Sequence, residues 1–62
     1  MQKYIGRNID IIYQDRHGQL TKRRIRISAV GADKILAYDY DRRAPRVFRR
    51  DNILAVELVR TA

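Results

Sequence analysis

The chain contains no cysteine, a single histidine, a single serine, one proline and three glycines among its 62 residues. Without cysteine, neither a disulfide nor a thiolate zinc site can staple the fold. His17 alone cannot build a metal site without help from carboxylates. Nucleophilic chemistry is equally poorly supplied. Ser28 is the one serine, Thr21 and Thr61 are the only threonines, and no base and nucleophile can be paired from their spacing. The carboxylates are scattered singly and no Gly-rich phosphate loop is present. These absences point away from an enzyme and away from a bound cofactor or metal. No apolar run approaches the ~20 residues of a membrane span, and Met1–Ile5 lacks the apolar block of a secretory signal. A reducing cytoplasm is therefore the expected compartment, with no membrane partner.

A chain of this length makes one small domain, taken as residues 1–62. Only about 60% of the unfolded surface of such a domain can be buried. Its core must come from packing alone or be supplemented by self-association. Charge is the more pointed feature. Fourteen Lys and Arg stand against seven Asp and Glu, a formal +7, and eleven of the fourteen cations are Arg. That balance favours nucleic acid or another polyanion as partner; the plain alternative is a small basic protein that binds neither.

Period-two alternation dominates and helical periodicity is nowhere sustained. Strands are expected at about 8–14, 20–28, 34–40, 46–50 and 53–59, with residues 1–7 forming a short helical turn or a frayed arm. Ile9, Ile11 and Tyr13 share one face of the first strand. Asp15-Arg16-His17-Gly18 reads as a hairpin turn in which Gly18 takes positive φ. On the second strand Ile25 and Ile27 oppose Lys22, Arg24 and Arg26. Pro45 cannot donate to a sheet ladder and belongs at a turn or a strand start. Asp51-Asn52 suits a tight or 3₁₀ turn, and Leu54, Val56 and Leu58 alternate with Ile53, Ala55, Glu57 and Val59. Five short strands with regular turn signals predict an all-β, five-stranded SH3-like or Sm-like barrel, because closing the sheet removes its edges and buries its inner face.

Nine of the fourteen cations fall in two segments, Lys22–Arg26 and Arg42–Arg50. Lys22, Arg24 and Arg26 are spaced by about 6.6–7 Å per step along one strand face, near the separation of successive phosphates in a nucleic-acid strand. Any solvated outer strand face looks the same. Arg46 shares a face with Phe48, the one phenylalanine, so a guanidinium is directed at the core or its rim. Such a group needs a partner. Either Asp39 or Asp41 pairs it across the hairpin, or a ligand anion does. Tyr38 and Tyr40 share a face with Leu36 and serve either as core with a wet hydroxyl end or as a stacking surface beside Arg.

The order Ile11-Ile12-Tyr13, Gly18, Thr21-Lys22-Arg23, Leu36-Ala37-Tyr38-Asp39, Arg46-Val47-Phe48-Arg49 and Asp51-Asn52-Ile53 resembles the WYL domain of bacterial regulators, over about residues 5–60. The resemblance implies a Sm-like or SH3-like barrel that senses nucleic acids or nucleotides and regulates transcription or phage defence. It implies ligand contacts from Arg46 and Arg49 of the Arg-x-Phe-Arg motif. The eponymous Trp-Tyr-Leu positions fall on Asp33-Lys34-Ile35, Ile27 replaces a usual Pro, and Asn52 a usual Arg. The family's helix-turn-helix segment has no counterpart here, so a stand-alone barrel is expected.

The combined expectation is a binding module for single-stranded nucleic acid or a nucleotide. Arg46 and Arg49 clamp phosphate, Arg43 and Arg50 add rim charge, Tyr40 offers a stacking surface, and Lys22, Arg24 and Arg26 extend the basic surface. The alternative is an adaptor that docks an acidic protein, or a homo-oligomer formed by strand addition.

Overall fold

The computed structural model describes residues 2–59; the outermost positions of the domain read over 1–62, Thr61 among them, lie outside this range. Five antiparallel strands form one sheet: β1 (Asn8–Gln14), β2 (Leu20–Val30), β3 (Lys34–Asp39), β4 (Ala44–Arg49) and β5 (Ile53–Leu58), in the order β4-β3-β2-β1-β5. A 3₁₀ turn at Gln2–Tyr4 precedes β1, and another at Arg50–Asn52 joins β4 to β5. Among the described residues no helix is long and apolar enough to cross a membrane.

Alternation determines which side chains go inside. Ile9, Ile11 and Tyr13 of β1, Ile25 and Ile27 of β2, Ile35 and Ala37 of β3, and Phe48 of β4 are all buried, forming one cluster. Each large apolar side chain withdrawn from water in this way contributes about 1.5–3 kcal/mol. Tyr38 and Tyr40 are not part of that core. The inward face of β3 carries Ile35, Ala37 and Asp39, which leaves Leu36, Tyr38 and Tyr40 on the outer face, with Leu36 and Tyr40 exposed.

Two irregularities bend the sheet. The β2–β3 register passes from Ile27↔Ala37 to Ala29↔Leu36 and skips Ser28, so Ile27 and Val30 both face inward although three positions apart. The β1–β5 register passes from Ile12↔Ala55 to Tyr13↔Ile53 and skips Leu54. Strict alternation placed Leu54 with Val56 and Leu58; the bulge instead leaves Leu54 exposed and turns Ile53 towards the core. An extra residue in one strand raises the local twist and bends it. The sheet curls until Phe48 of β4 meets Tyr13 of β1 edge-on across the interior, with ring centroids 5.1 Å apart. The ladder nevertheless stays open: β4 and β5 are the two ends of the sheet, and closure by pairing between them is not seen among the described residues.

The turns explain where the strands stop. Asp15 accepts hydrogen bonds from the backbone N–H groups of His17 and Gln19 at 2.8 and 2.9 Å, and Gly18 takes φ +80°. Glycine occupies that left-handed conformation without steric cost. β3 ends at Asp39, one residue before the expected Tyr40, because its carboxylate caps the following turn by accepting from the Asp41 N–H at 2.9 Å. β2 runs two residues beyond the expected 28, since the bulge absorbs Ser28 and pairing resumes. β4 starts at Ala44 and includes Pro45, which the position at the sheet edge tolerates.

Candidate anion-binding cleft

The inward face of the sheet is apolar except at one end. There three charged residues hold the positions at which alternation would otherwise have continued the core: Arg23 on β2, Asp39 on β3 and Arg46 on β4. Asp39 is fully buried. Its Oδ1 accepts the Asp41 and Arg42 backbone N–H groups at 2.9 and 3.4 Å. Its Oδ2 accepts from Arg23 Nη1 at 3.2 Å and lies 3.8 Å from Arg46 Nη1. The second distance is an ion pair too long to be a hydrogen bond. Of the two intramolecular partners considered for Arg46, Asp39 provides the contact and Asp41 does not.

Arg46 is held from the sides as well. Its guanidinium carbon sits 5.1 Å from the Phe48 ring centroid and 5.9 Å from that of Tyr13, within cation–π range of both. The Tyr13 hydroxyl accepts the backbone N–H of Arg49 at 3.2 Å, which ties the end of β4 to β1. Above this floor opens a cleft of about 450 Å³. The β1–β2 hairpin contributes Asp15, Arg16 and His17, β2 contributes Arg23, the β3–β4 turn contributes Arg42, β4 contributes Arg46 and Arg49, and Asn52 closes the rim. Counting the buried Asp39 beneath, five guanidiniums face two carboxylates, a formal excess of three positive charges.

Among the described residues, two buried side-chain polar atoms lack any hydrogen-bond partner: Arg23 Nε and Arg46 Nη1. Both belong to side chains that line this cleft. A buried donor left unpaired costs about 1–3 kcal/mol, more when charged. The arrangement thus offers guanidinium donors fixed by aromatic faces and a buried carboxylate, and lacking an acceptor. Chemically it suits an oxyanion.

Of the residues singled out from sequence, the structure brings Arg46 and Arg49 together here. The rest lie elsewhere. The Arg50 guanidinium donates to the Gly31 and Ala32 carbonyls at 3.1 and 3.3 Å, pinning the β2–β3 turn rather than charging the cleft rim. Arg43 adopts φ +55° in the β3–β4 turn and does not line the cleft. Lys22, Arg24 and Arg26 are exposed on the outer face of β2. Arg24 is engaged there by Asp10 through two hydrogen bonds of 2.9 and 3.2 Å. These bonds hold the Asp10 carboxyl below its ordinary pKa and raise that of Arg24. Tyr40 is on the same outer face, in edge-to-face contact with Tyr38 at 5.2 Å, and its hydroxyl donates to Asn8 Oδ1 at 2.8 Å. A depression of about 580 Å³ also opens on the β1–β5 side. It sets two carboxylates, Asp10 and Glu57, beside an Arg24 already bound, and is a poor place for an anion.

Sequence reasoning missed Arg16, His17, Arg23 and Arg42. For Arg23 the signal was present, since it alternates onto the face of Ile25 and Ile27. The turn residues carried no such signal, because their direction follows from the hairpin geometry. Comparison of the chain with protein-family models, with curated proteins and with solved structures returned no match.

Proposed function

We propose that the protein is a non-enzymatic binding module for a phosphate-bearing ligand, single-stranded nucleic acid or a nucleotide, held in the cleft over Phe48 and Tyr13. The observation that carries this reading is the pair of buried donors without a hydrogen-bond partner, Arg23 Nε and Arg46 Nη1, on side chains lining a cleft with three more positive than negative charges. Arg46 is the central clamp, Arg23 and Arg49 its neighbours, and Arg16 and Arg42 the rim that attracts the anion. The resemblance of Arg46-Val47-Phe48-Arg49 to the WYL motif agrees with this placement, and the curl of the sheet is compatible with the SH3-like barrel that resemblance implies. A role in regulation follows from the resemblance alone.

The test is binding of a short single-stranded oligonucleotide by fluorescence anisotropy at low salt. Phosphate contacts made by two or three guanidiniums give a slope of log K against log salt of about −1.5 to −2 on single strands. The double variant Arg46→Ala, Arg49→Ala is expected to lose at least tenfold in affinity. Unchanged affinity in a folded double variant removes the site.

The free edges of the sheet favour a second reading, self-association by strand addition. Val47 on β4 and Leu54 on β5 are both more than half exposed at these edges. Unpaired edge strands are templates for pairing. Light scattering behind size exclusion decides it, and a monomer at high concentration rejects it.

A further inference from the structure

We infer that the cleft reads a terminal phosphate, that is, a phosphomonoester or the end of a diphosphate, rather than the running phosphodiester backbone of a strand. This inference rests on the anion-binding reading above and goes beyond it by specifying which phosphate is bound.

The placement of the cations is the first argument. A backbone in transit is matched by cations in a row, as Lys22, Arg24 and Arg26 are on the outer face of β2. The cleft cations instead converge from four separate segments, the β1–β2 hairpin, β2, the β3–β4 turn and β4, and surround one volume. Convergence suits a compact group carrying several charges.

The second argument is donor geometry. Arg23 Nη1 and Arg46 Nη1 lie 3.2 and 3.8 Å from the same Asp39 oxygen, so they are no more than about 7 Å apart. The two guanidiniums therefore converge closely enough for one phosphate group to accept charge-assisted hydrogen bonds of about 2.8 Å from those of their N–H groups not turned to Asp39. Arg49 and Arg42 stand at the same cleft to engage a further oxygen. A monoester presents three free acceptor oxygens and carries about −1.5 to −2 charge at neutral pH. A diester linkage presents two free oxygens and a single charge. Three excess positive charges over two unsatisfied donors match the former better.

Size is the third. A cleft of about 450 Å³ accepts one nucleotide, in the range of ordinary small-ligand sites. The dianion can therefore belong to a free nucleotide or to a phosphorylated strand end.

The experiment compares one oligonucleotide in three forms, with a 5′-phosphate, with a 3′-phosphate and with hydroxyls at both ends, by anisotropy at fixed ionic strength. AMP and inorganic phosphate serve as competitors. The expected result is at least tenfold tighter binding of one phosphorylated form over the hydroxyl form. Arg46→Lys, which keeps charge but loses the planar fork, should abolish most of that preference while its NMR spectrum stays native. Competition by AMP at concentrations similar to the phosphorylated strand identifies a nucleotide end as sufficient. Competition by the strand alone identifies a strand end. Equal binding of all three forms, still weakened by Arg46→Ala plus Arg49→Ala, overturns the terminal-phosphate inference and leaves the anion-binding reading standing. No binding of any probe overturns both.

Discussion

Replacing Asp39 by Asn should lower stability and raise anion affinity at once, and the opposite signs test the whole account of the cleft. Asp39 is fully buried and serves two tasks. Its Oδ1 caps the β3–β4 turn, which an Asn carbonyl can still do. Its Oδ2 faces Arg23 and Arg46, and there Asn would present an amide N–H₂, a donor against donors. Removing one partner of a buried pair costs about 3–5 kcal/mol. Here the two guanidiniums retain 18% and 28% of their side-chain exposure and can relax towards water, so about 2–3 kcal/mol is expected. Total stability for 62 residues is of order 3–9 kcal/mol, and each kcal/mol moves Tm by roughly 4–8 °C in a domain this small. The variant should therefore melt about 10–20 °C lower by circular dichroism.

The same change removes a negative charge that competes with the ligand for the Arg46 and Arg23 donors. At a separation of roughly 6 Å and an effective dielectric between about 40 and 80, that competition is worth about 0.7–1.4 kcal/mol, a threefold to tenfold gain in affinity for phosphate. Added phosphate should thus restore Tm in the variant more than in the parent, by linkage of binding to folding; the parent at matched phosphate controls for the general effect of the salt. A variant that melts within about 2 °C of the parent, or that is folded yet binds phosphate more weakly, refutes the reasoning that Asp39 is both counter-charge and competitor.

Arg24→Ala should raise the Asp10 titration midpoint towards the ordinary carboxylate value, read by carbon-detected NMR, because the Arg24 hydrogen bonds are what lower it. A depressed carboxylate pKa contributes stability above the unfolded-state value of about 3.9 and loses it as pH falls through the folded value. The difference between parent and variant should accordingly vanish in the acid limb and not near neutrality. Gly18→Ala should cost about 1 kcal/mol in a urea melt, since φ +80° strains any side chain there. Arg50→Ala should leave oligonucleotide affinity within about twofold while loosening the β2–β3 turn, seen as faster exchange of the Gly31 amide, which donates to the Lys34 carbonyl.

Most of the fold was legible because alternation is local: Ile9-x-Ile11-x-Tyr13 and Ile25-x-Ile27 each announce a face without reference to the rest of the chain. What escaped was tied to the bulges. Nothing in Ile53-Leu54-Ala55-Val56 marks Leu54 as the residue to be skipped, because the skip is imposed by how β5 must follow the twist of β1 at Tyr13. The same limitation applies to Tyr38 and Tyr40. An aromatic strand looks like core until one asks which face holds Ile35 and Ala37, and that face ends in a carboxylate.

Of the seven basic residues that the sequence singled out, five, Lys22, Arg24, Arg26, Arg43 and Arg50, lie away from the cleft. Density of Arg along the sequence suggested Arg43 and Arg50, but a guanidinium becomes part of a site only where something fixes it without exhausting its donors. Arg50 turns its Nη1 to two carbonyls and Arg24 its Nε and Nη2 to Asp10, and neither side chain lines the cleft. Arg46 is fixed by two rings and an ion pair too long to be a hydrogen bond, so it is rigid and yet unspent. The physical marker of the cleft is therefore inward alternation of opposite charges on three adjacent strands, Arg23, Asp39 and Arg46, with a phenylalanine one step along. Net charge alone does not supply it: Arg26 carries the same charge as Arg46 and pairs with Tyr38 on the outer face, yet among the described residues no ion pair or cation–π contact holds its guanidinium.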